Sequence, residues 1–164
     1  MIQAKKIGAV IVARQGSTRF PKKAMIEMEG IPLIGHIIQR IKGCASISEI
    51  TIATSTNEVD DEIESYGLSQ GVKVFRGHPE DVMRRIAAAL ELMDVEAFEE
   101  IGGDCPLVSS KLLDTGIAHY LNSNADIVSN ALIAPFNYPV GYDFILVKKS
   151  VYLEANNAAE LSSE

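Results

Sequence analysis

Short apolar runs alternate along this chain with longer segments that are apolar on one helical face only. The first run, residues 6–13, is almost continuously apolar, which is typical of a strand buried on both faces of a sheet. Residues 31–42 then place isoleucines at helical spacing, and residues 49–54 form a second run rich in β-branched side chains. Strands separated by helices of about a dozen residues predict crossover connections and a mostly parallel sheet.

The same alternation continues towards the end of the chain. The later predicted strands are residues 72–75, 97–101, 126–130 and 144–147, and the later predicted helices begin near Asn57, Pro79, Ser109 and Lys148. Val59 and Leu121 are expected to face the core, whereas Arg84 and Arg85 are expected to face solvent. The pattern therefore predicts an α/β fold with helices on both faces of a central sheet. No linker, repeat or low-complexity segment divides the sequence, so residues 1–164 are expected to form a single domain.

Composition argues against several classes of protein. The longest apolar run, Ile7 to Ala13, is far shorter than the ~20 residues of a membrane span, and the N-terminus lacks the pattern of a secretory signal. A net charge of -7 and an isoelectric point near 5.0 argue against a duplex nucleic-acid binder, which needs a basic surface. Two cysteines do not make a disulfide framework. We therefore expect a cytoplasmic protein with no membrane or nucleic-acid partner.

Positive charge is concentrated at the start of the sequence. Residues 1–23 contain six basic and no acidic side chains, whereas the other 141 residues contain nine basic and 22 acidic ones. An acidic protein that collects cations in one short segment is a candidate to bind a small anion there. A solvated basic chain end is the alternative interpretation, and charge alone does not separate the two.

The loop after the first predicted strand carries the most specific chemical pattern. Arg14, Arg19 and Lys23 supply three cations, and arginine forks match phosphate oxygens while lysine adds a mobile charge. Gly16 allows close approach of the backbone to a ligand, and Ser17 can donate hydrogen bonds. Ligands of such sheets bind at the carboxyl ends of the strands, where this loop begins. The loop therefore predicts a triphosphate site, although neither a Walker A loop nor a G-x-G-x-x-G motif is present.

This loop and several later stretches resemble one enzyme family. Ala-Arg-x-Gly-Ser-x-Arg-x-Pro-x-Lys at residues 13–23 resembles the signature of the sugar-activating cytidylyltransferases. These include the CMP-sialate and CMP-Kdo synthetases and the SpsF-like branch of spore-coat polysaccharide synthesis. The later stretches, which are most similar to the SpsF-like branch, are residues 71–77, 80–82, 103–107 (Gly-Asp-Cys-Pro-Leu), 128–130 and 139–143 (Pro-x-Gly-x-Asp). The resemblance runs from about Ile7 to Leu153.

The resemblance implies a three-layer, Rossmann-like nucleotidyltransferase fold related to that of GT-A glycosyltransferases. It also implies transfer of CMP from CTP to a sugar, with release of pyrophosphate, in the synthesis of a surface polysaccharide or glycan. By resemblance, Arg14, Lys23 and Asp104 are catalytic, and Asp104 binds Mg²⁺. The implied nucleotide-binding residues are Ala13, Arg14, Gly16, Ser17, Arg19, Lys23 and Arg76, and the implied sugar-binding residues are Asn130 and Asp143.

Other interpretations stay open at this point. Asp104 also suits a cap of the turn before Pro106, and Asn130 and Asp143 suit the turns that end strands. The alternative functions are a glycosyltransferase-related domain, whose common Asp-x-Asp motif the sequence lacks, and a non-catalytic nucleotide-binding domain. Members of this family typically continue for many tens of residues beyond the point that corresponds to Glu164. That additional part carries a second metal-binding aspartate and, in several branches, part of a dimer interface. This chain is therefore expected to lack the family's C-terminal part, and a homodimer is one expected assembly.

Overall fold

A six-stranded sheet lies at the centre of the computed structural model, which describes residues 5–16, 20–131, 138–139 and 141–162. The strands are β1 (Ile7–Val12), β2 (Glu27–Met28), β3 (Ile31–Pro32), β4 (Glu49–Ser55), β5 (Lys73–Gly77), β6 (Ala97–Gly102), β7 (Ile127–Ser129) and β8 (Ile145–Lys148). The helices are α1 (Leu33–Lys42), α2 (Asp61–Ser69), α3 (Val82–Glu91), α4 (Ser110–Leu121) and α5 (Lys149–Ser162). β2 and β3 form a separate short hairpin.

The strand order of the central sheet is β5-β4-β1-β6-β8-β7. The first four strands in this order are parallel, and β8 and β7 run antiparallel to their neighbours. The predicted mostly parallel sheet is confirmed. In the register, Val12 of β1 lies beside Ala53 of β4 on one side and Gly102 of β6 on the other. The carboxyl ends of these parallel strands therefore meet at one edge of the sheet, where the predicted ligand loop begins.

Two apolar layers cover the faces of the sheet. Successive residues of β1 point to opposite faces, so that Ile11 packs with α1, α2 and α4 whereas Val10 packs with α3. α5 covers the second face together with α3, and the two helices contact each other. The isoleucines of α1 that the sequence placed inward, Ile34, Ile37, Ile38 and Ile41, are all fully buried. The three-layer arrangement is confirmed.

Some predicted helix positions are wrong. Val59 and Leu121 are 42% and 44% exposed, because Val59 precedes α2 in a short turn and Leu121 is the last residue of α4. α3 begins at Val82 rather than Pro79, since the Asp81 carboxylate accepts the backbone N–H of Arg84 and caps the helix there. Ser109 caps α4 by accepting the N–H of Leu112, so the predicted start of a helix near Ser109 is confirmed.

Arg85 is fully buried, which contradicts the expectation that it faces solvent. Its guanidinium donates to the carbonyls of His78 (2.5 Å) and Pro79 (3.2 Å), in the loop between β5 and α3. The absence of a side chain at Gly77 leaves room for it, because a Cβ there would lie 3.1 Å from Cγ of Arg85. Arg84 is exposed, as expected. None of the helices in the described ranges is long and apolar enough to cross a membrane.

Candidate functional site

The carboxyl ends of β1 and β6 lie side by side, because Val12 pairs with Gly102. The N–H of Gly103 donates to the carbonyl of Val12 at 2.8 Å and continues this pairing beyond the strands. Only glycine fits at position 103, since a Cβ there would lie 2.6 Å from Cβ of Ala13. The two loops that the sequence singled out are therefore brought together, with Asp104 facing the loop that follows β1.

A cleft of about 180 Å³ opens between these two loops. Its lining residues are Val12, Ala13, Arg14, Lys23, Ala24, Gly103 and Asp104. It therefore unites four predicted site residues from two distant parts of the sequence. Small-molecule pockets commonly measure about 300–1,000 Å³, so this cleft is sized for part of a nucleotide. A wider groove of about 650 Å³ runs along α4, but its lining includes no predicted site residue.

Lys23 and Asp104 face each other at the cleft. The ammonium nitrogen of Lys23 lies 2.6 Å from Oδ2 of Asp104, and both side chains remain partly exposed. The hydrogen bond from Lys23 lowers the pKa of Asp104, and this outweighs the opposite effect of partial burial. The cleft thus presents an ionised carboxylate and a cation side by side, which are suitable groups for a metal ion and a phosphate.

Arg14 lines the same cleft and also reaches a third loop. Its Nη1 donates to the carbonyl of Pro79 at 2.8 Å and lies 2.9 Å from Oε1 of Glu80. These two acceptors belong to the loop between β5 and α3, where the buried Arg85 also donates to the carbonyl of Pro79. Arg14 therefore joins the loop after β1 to the loop after β5.

The remainder of the loop after β1 is described in part. Ser17 and Arg19, two predicted nucleotide-binding residues, lie outside the described residues. Gly16 is exposed, and a Cβ added there would meet no atom within 4 Å, so the space beside its backbone is open. The N–H of Lys22 donates to the carbonyl of Gln15 at 3.1 Å, which brings the two ends of the loop together. The nucleotide contacts assigned to these residues stay predictions.

A buried network that the sequence analysis missed supports the start of this loop. Gln15 is 2% exposed and Asp60 is 1% exposed. The backbone N–H of Gln15 donates to Oδ1 of Asp60 at 2.7 Å, and Oδ2 of Asp60 accepts from the N–H (3.3 Å) and hydroxyl of Ser55. The signal that could have identified this aspartate is a carboxylate five residues after the end of β4, the strand that neighbours β1.

Arg76 lies outside the residues that line the cleft. It is on β5, where Nη1 lies 2.6 Å from Oδ1 of Asp61 and 2.7 Å from Oε2 of Glu64. Its Nε donates to the carbonyl of Ser55 (3.0 Å) and its Nη2 to that of Asn57 (2.8 Å). Arg76 therefore holds the loop between β4 and α2, and its contact with a nucleotide stays a prediction.

The two predicted sugar-binding residues, Asn130 and Asp143, differ from each other in their contacts and exposure. The amide of Asn130 donates to the carbonyl of Tyr142 and accepts from the N–H of Phe144, both at 2.9 Å. It thus holds the backbone on either side of Asp143, whose side chain is exposed. Burial raises the pKa of Cys105, and the negative charges of Asp104 and Asp143 contribute to this increase. No contact with a sugar is tested for either residue.

The donor set at the cleft suits an Mg²⁺ ion that is bound jointly by the protein and by a phosphorylated ligand. Among the residues that the structure describes, no group of three or more histidine, cysteine, aspartate or glutamate side chains could hold a metal ion. Asp104 instead offers one ionised carboxylate beside open space. Mg²⁺ is commonly bound through one or two carboxylates, with substrate phosphates and water completing its shell. The residues present therefore fit a metal ion that arrives with a phosphorylated ligand.

Comparisons with known proteins agree with this geometry. A family model described as cytidylyltransferase matches residues 9–158. The spore coat polysaccharide biosynthesis protein SpsF of Bacillus subtilis is 32% identical over 121 residues, which cover 71% of this chain and 50% of the relative. A 3-deoxy-manno-octulosonate cytidylyltransferase of Geobacter metallireducens is 32% identical over 113 residues, which cover 69% of this chain and 44% of the relative. The chain thus spans about half the length of the curated relatives it matches.

A solved structure shows the same arrangement of elements. It is a cytidylyltransferase from Leptospira borgpetersenii serovar Hardjo-bovis, with a TM-score of 0.87 and 26% sequence identity. The match covers 93% of this chain and 64% of the solved chain. The likeness therefore extends over nearly all of the sequence.

Proposed function

Because this chain belongs to the cytidylyltransferase family, we propose that it transfers CMP from CTP to a hydroxyl of a sugar acid and releases pyrophosphate. The observation that carries the proposal is the Lys23–Asp104 pair at the joined carboxyl ends of β1 and β6. The relatives named for spore coat polysaccharide and for 3-deoxy-manno-octulosonate support a sugar acid and a role in surface polysaccharide synthesis. Family membership also confirms the resemblance that rested on the loop after β1.

In the proposed reaction, a sugar hydroxyl oxygen attacks the α-phosphorus of CTP. The bond between that phosphorus and the oxygen bridging to the β-phosphate breaks, pyrophosphate departs, and the hydroxyl proton is lost to solvent. Negative charge grows on the departing pyrophosphate, and Lys23 and Arg14 are held beside the cleft to neutralise it. Cations placed before the reaction stabilise such charge without reorganising during it.

Asp104 has the second role in this proposal. Lys23 keeps the pKa of Asp104 below its usual range, so the carboxylate is ionised at neutral pH. Bound by this carboxylate and the phosphates, Mg²⁺ would supply further charge neutralisation at the reacting phosphate. When phosphate oxygens reach Lys23, its ammonium can exchange the carboxylate for them, which frees Asp104 as a ligand.

Nucleotide binding is the property to test first, because the matches cover only 50% and 44% of these two relatives. We expect calorimetric titration to show Mg²⁺-dependent binding of CTP and much weaker binding of ATP, GTP and UTP. Asp104→Asn should remove the Mg²⁺ dependence. Asp126→Asn is the matched control, because Asp126 forms a similarly exposed lysine pair, with Lys148, at the opposite edge of the sheet. Equal binding of all four nucleotides, or an unchanged Mg²⁺ dependence in Asp104→Asn, would contradict the proposal.

Turnover is measured next, as pyrophosphate released from CTP in the presence of each member of a panel of sugar acids and neutral sugars. Release that requires a sugar acid would support the proposed acceptor class. Release that occurs only with neutral sugars would show that the acceptor is a neutral sugar and not a sugar acid. Asp126→Asn again serves as the control for a general loss of folding. Asp104→Asn should lose turnover while it keeps the fold.

A further inference from the structure

Asp60 is a buried carboxylate that the proposed reaction does not use. It lies in the short turn between β4 and α2 and is 1% exposed. Its Oδ1 accepts the backbone N–H of Gln15, and its Oδ2 accepts the backbone N–H and hydroxyl of Ser55. One carboxylate thus connects the end of β4 to the start of the cation-bearing loop.

Gln15 is the residue through which this connection acts. It stands between Arg14 and Gly16, and its carbonyl accepts the N–H of Lys22 from the far end of the loop. Its side-chain amide is also tied down, because Nε2 donates to the carbonyl of Val59 at 2.6 Å. Both ends of the loop after β1 are therefore fixed at one buried residue.

We propose that Asp60 is a positioning residue for nucleotide binding, which acts through the backbone of Gln15. By fixing residue 15, it holds Arg14 on one side and the return of the chain to Lys22 and Lys23 on the other. Arg14 and Lys23, the two cations that line the cleft, then keep the spacing that a triphosphate requires before the ligand arrives. This inference rests on the proposed function of the cleft, and Asp60 itself touches no substrate because it lies buried behind Gln15.

The affinity of a loop for its ligand depends on whether the loop is ordered before binding. A loop that is ordered only on binding loses affinity, because the entropy of fixing its residues is then subtracted from the binding free energy. A buried carboxylate that accepts several hydrogen bonds resists rearrangement, since breaking one leaves an unpaired polar group out of water. Asp60 therefore pre-organises the two described ends of the loop, and this predicts an effect on CTP affinity beyond any effect on stability.

Asp60→Asn is the direct test. The side-chain oxygen of an asparagine can accept either the N–H of Gln15 or the N–H and hydroxyl of Ser55. Its amide nitrogen is a donor and cannot replace the second carboxylate oxygen. We expect the dissociation constant for CTP with Mg²⁺ to rise at least tenfold. Ser55→Ala removes one donor and is a milder variant that should fold where Asp60→Asn does not, with an expected rise of about two- to fivefold.

Asp114→Asn is the matched control. Asp114 also anchors a loop, since its Oδ1 accepts the N–H of Ser46 (3.0 Å) and the thiol of Cys44 (3.1 Å). That loop precedes β4 and lies at the opposite edge of the sheet. The control should lower the free energy of unfolding but change CTP affinity less than twofold. If Asp60→Asn and Ser55→Ala also lower stability without a change in affinity, Asp60 is structural only and the inference is wrong.

Amide hydrogen exchange separates this inference from the proposed function. In the wild-type chain the N–H groups of Gln15 and Lys22 should be protected, and Asp60→Asn should accelerate exchange at both while Asp114→Asn leaves them unchanged. If the wild type binds no CTP, the proposed function fails, and accelerated exchange at these two amides would then show only that Asp60 orders the backbone at Gln15 and Lys22. Unchanged exchange in Asp60→Asn overturns the positioning role.

Discussion

Lys23 and Asp104 form an ion pair of 2.6 Å between side chains that keep 35% and 49% of their surface exposed. Exposed ion pairs typically contribute about 0–1 kcal/mol to stability, so this pair is a weak stabiliser of the fold. Its place between the ends of β1 and β6 is better explained by the charged ligand that the cleft is proposed to bind. The contribution of this pair to ligand affinity can therefore be separated from its small contribution to the stability of the fold.

Lys23→Ala should reveal this separation. We expect CTP binding to weaken by about 1–3 kcal/mol, the range for losing a charge-assisted hydrogen bond, while the free energy of unfolding changes by less than about 1 kcal/mol. Calorimetry and urea denaturation measure the two quantities. Lys73→Ala is the control, because Lys73 forms a 2.8 Å pair with Glu49 at the amino ends of β5 and β4. Equal CTP affinities in both variants would show that Lys23 does not bind the phosphates.

Glu99 is a buried acid with an incomplete set of partners. It lies on β6 with no exposed surface, and its Oε1 accepts the N–H of Ile145 at 2.8 Å. Its Oε2 has no hydrogen-bond partner within the described part of the chain. Burial raises the pKa of Glu99 to about 8, with the charge of Glu100 adding to the effect and the bond from Ile145 opposing it. The side chain is therefore neutral in the folded protein at pH 7.

The raised pKa of Glu99 predicts a loss of stability as the pH increases. An unfolded glutamate loses its proton near pH 4.5, whereas the folded one keeps it until about pH 8. Between these values the folded state binds the extra proton, so the free energy of unfolding falls by up to about 1.4 kcal/mol per pH unit. Glu99→Gln lacks this titration and should gain stability relative to wild type between pH 5.5 and 8.5. Denaturation curves that stay parallel over this range would disprove the assignment.

Asn130 shows how one side chain organises an element. Its amide bridges the carbonyl of Tyr142 and the N–H of Phe144, and so continues the pairing of β7 with β8 beyond the last strand residues. The hydroxyl of Ser129 donates to the carbonyl of Phe144 at 2.8 Å and adds to this connection. The position of Asp143 therefore depends on Asn130, whether or not Asn130 touches a sugar.

Asn130→Ala should destabilise this part of the sheet. Two part-buried backbone groups lose their partners, so we expect the free energy of unfolding to fall by about 1–3 kcal/mol. Asn122→Ala is the comparison, because the side-chain amide of Asn122 donates to the carbonyl of Ala118 in the exposed last turn of α4. A change within about 0.5 kcal/mol is expected there. If both variants show equal stability in urea denaturation, the bridge has no structural importance.

Elements with a regular pattern could be predicted, and those set by unique contacts could not. The isoleucines of α1 and the apolar run of β1 lie where their spacing placed them, since periodicity reports which face is buried. Arg85 is on the buried face of α3, but the sequence gives no sign that Gly77 leaves space for it and that loop carbonyls accept its hydrogen bonds. In the same way, the burial of Asp60 depends on Gln15, 45 residues away in sequence.

At the scale of the whole molecule, the sheet divides the basic segment of residues 1–23. β1 runs through the middle of that segment, so Lys5 and Lys6 lie at the amino edge, where they pair with Glu96 and Asp94. Arg14 and Lys23 lie at the opposite, carboxyl edge. Net charge along the sequence therefore overstated the number of cations at the cleft. β1 itself separates these cations, because Lys5 and Lys6 precede the strand and Arg14 and Lys23 follow it.

The remaining charge at the carboxyl edge predicts how ligand binding and salt affect the stability of the whole chain. CTP with Mg²⁺ at about 100 times its dissociation constant should raise the free energy of unfolding by about 2.7 kcal/mol, and the melting temperature by about 5–10 °C for a domain of this size. Because Arg14 and Lys23 are partly exposed, salt screens their attraction for phosphates. At a fixed CTP concentration, the rise in melting temperature should therefore shrink as NaCl increases from about 50 to 300 mM. Thermal denaturation with and without CTP measures it, and Lys23→Ala should respond less to salt than wild type. A rise that does not depend on salt would assign the binding energy to the base and ribose, with the loop after β1 contributing little.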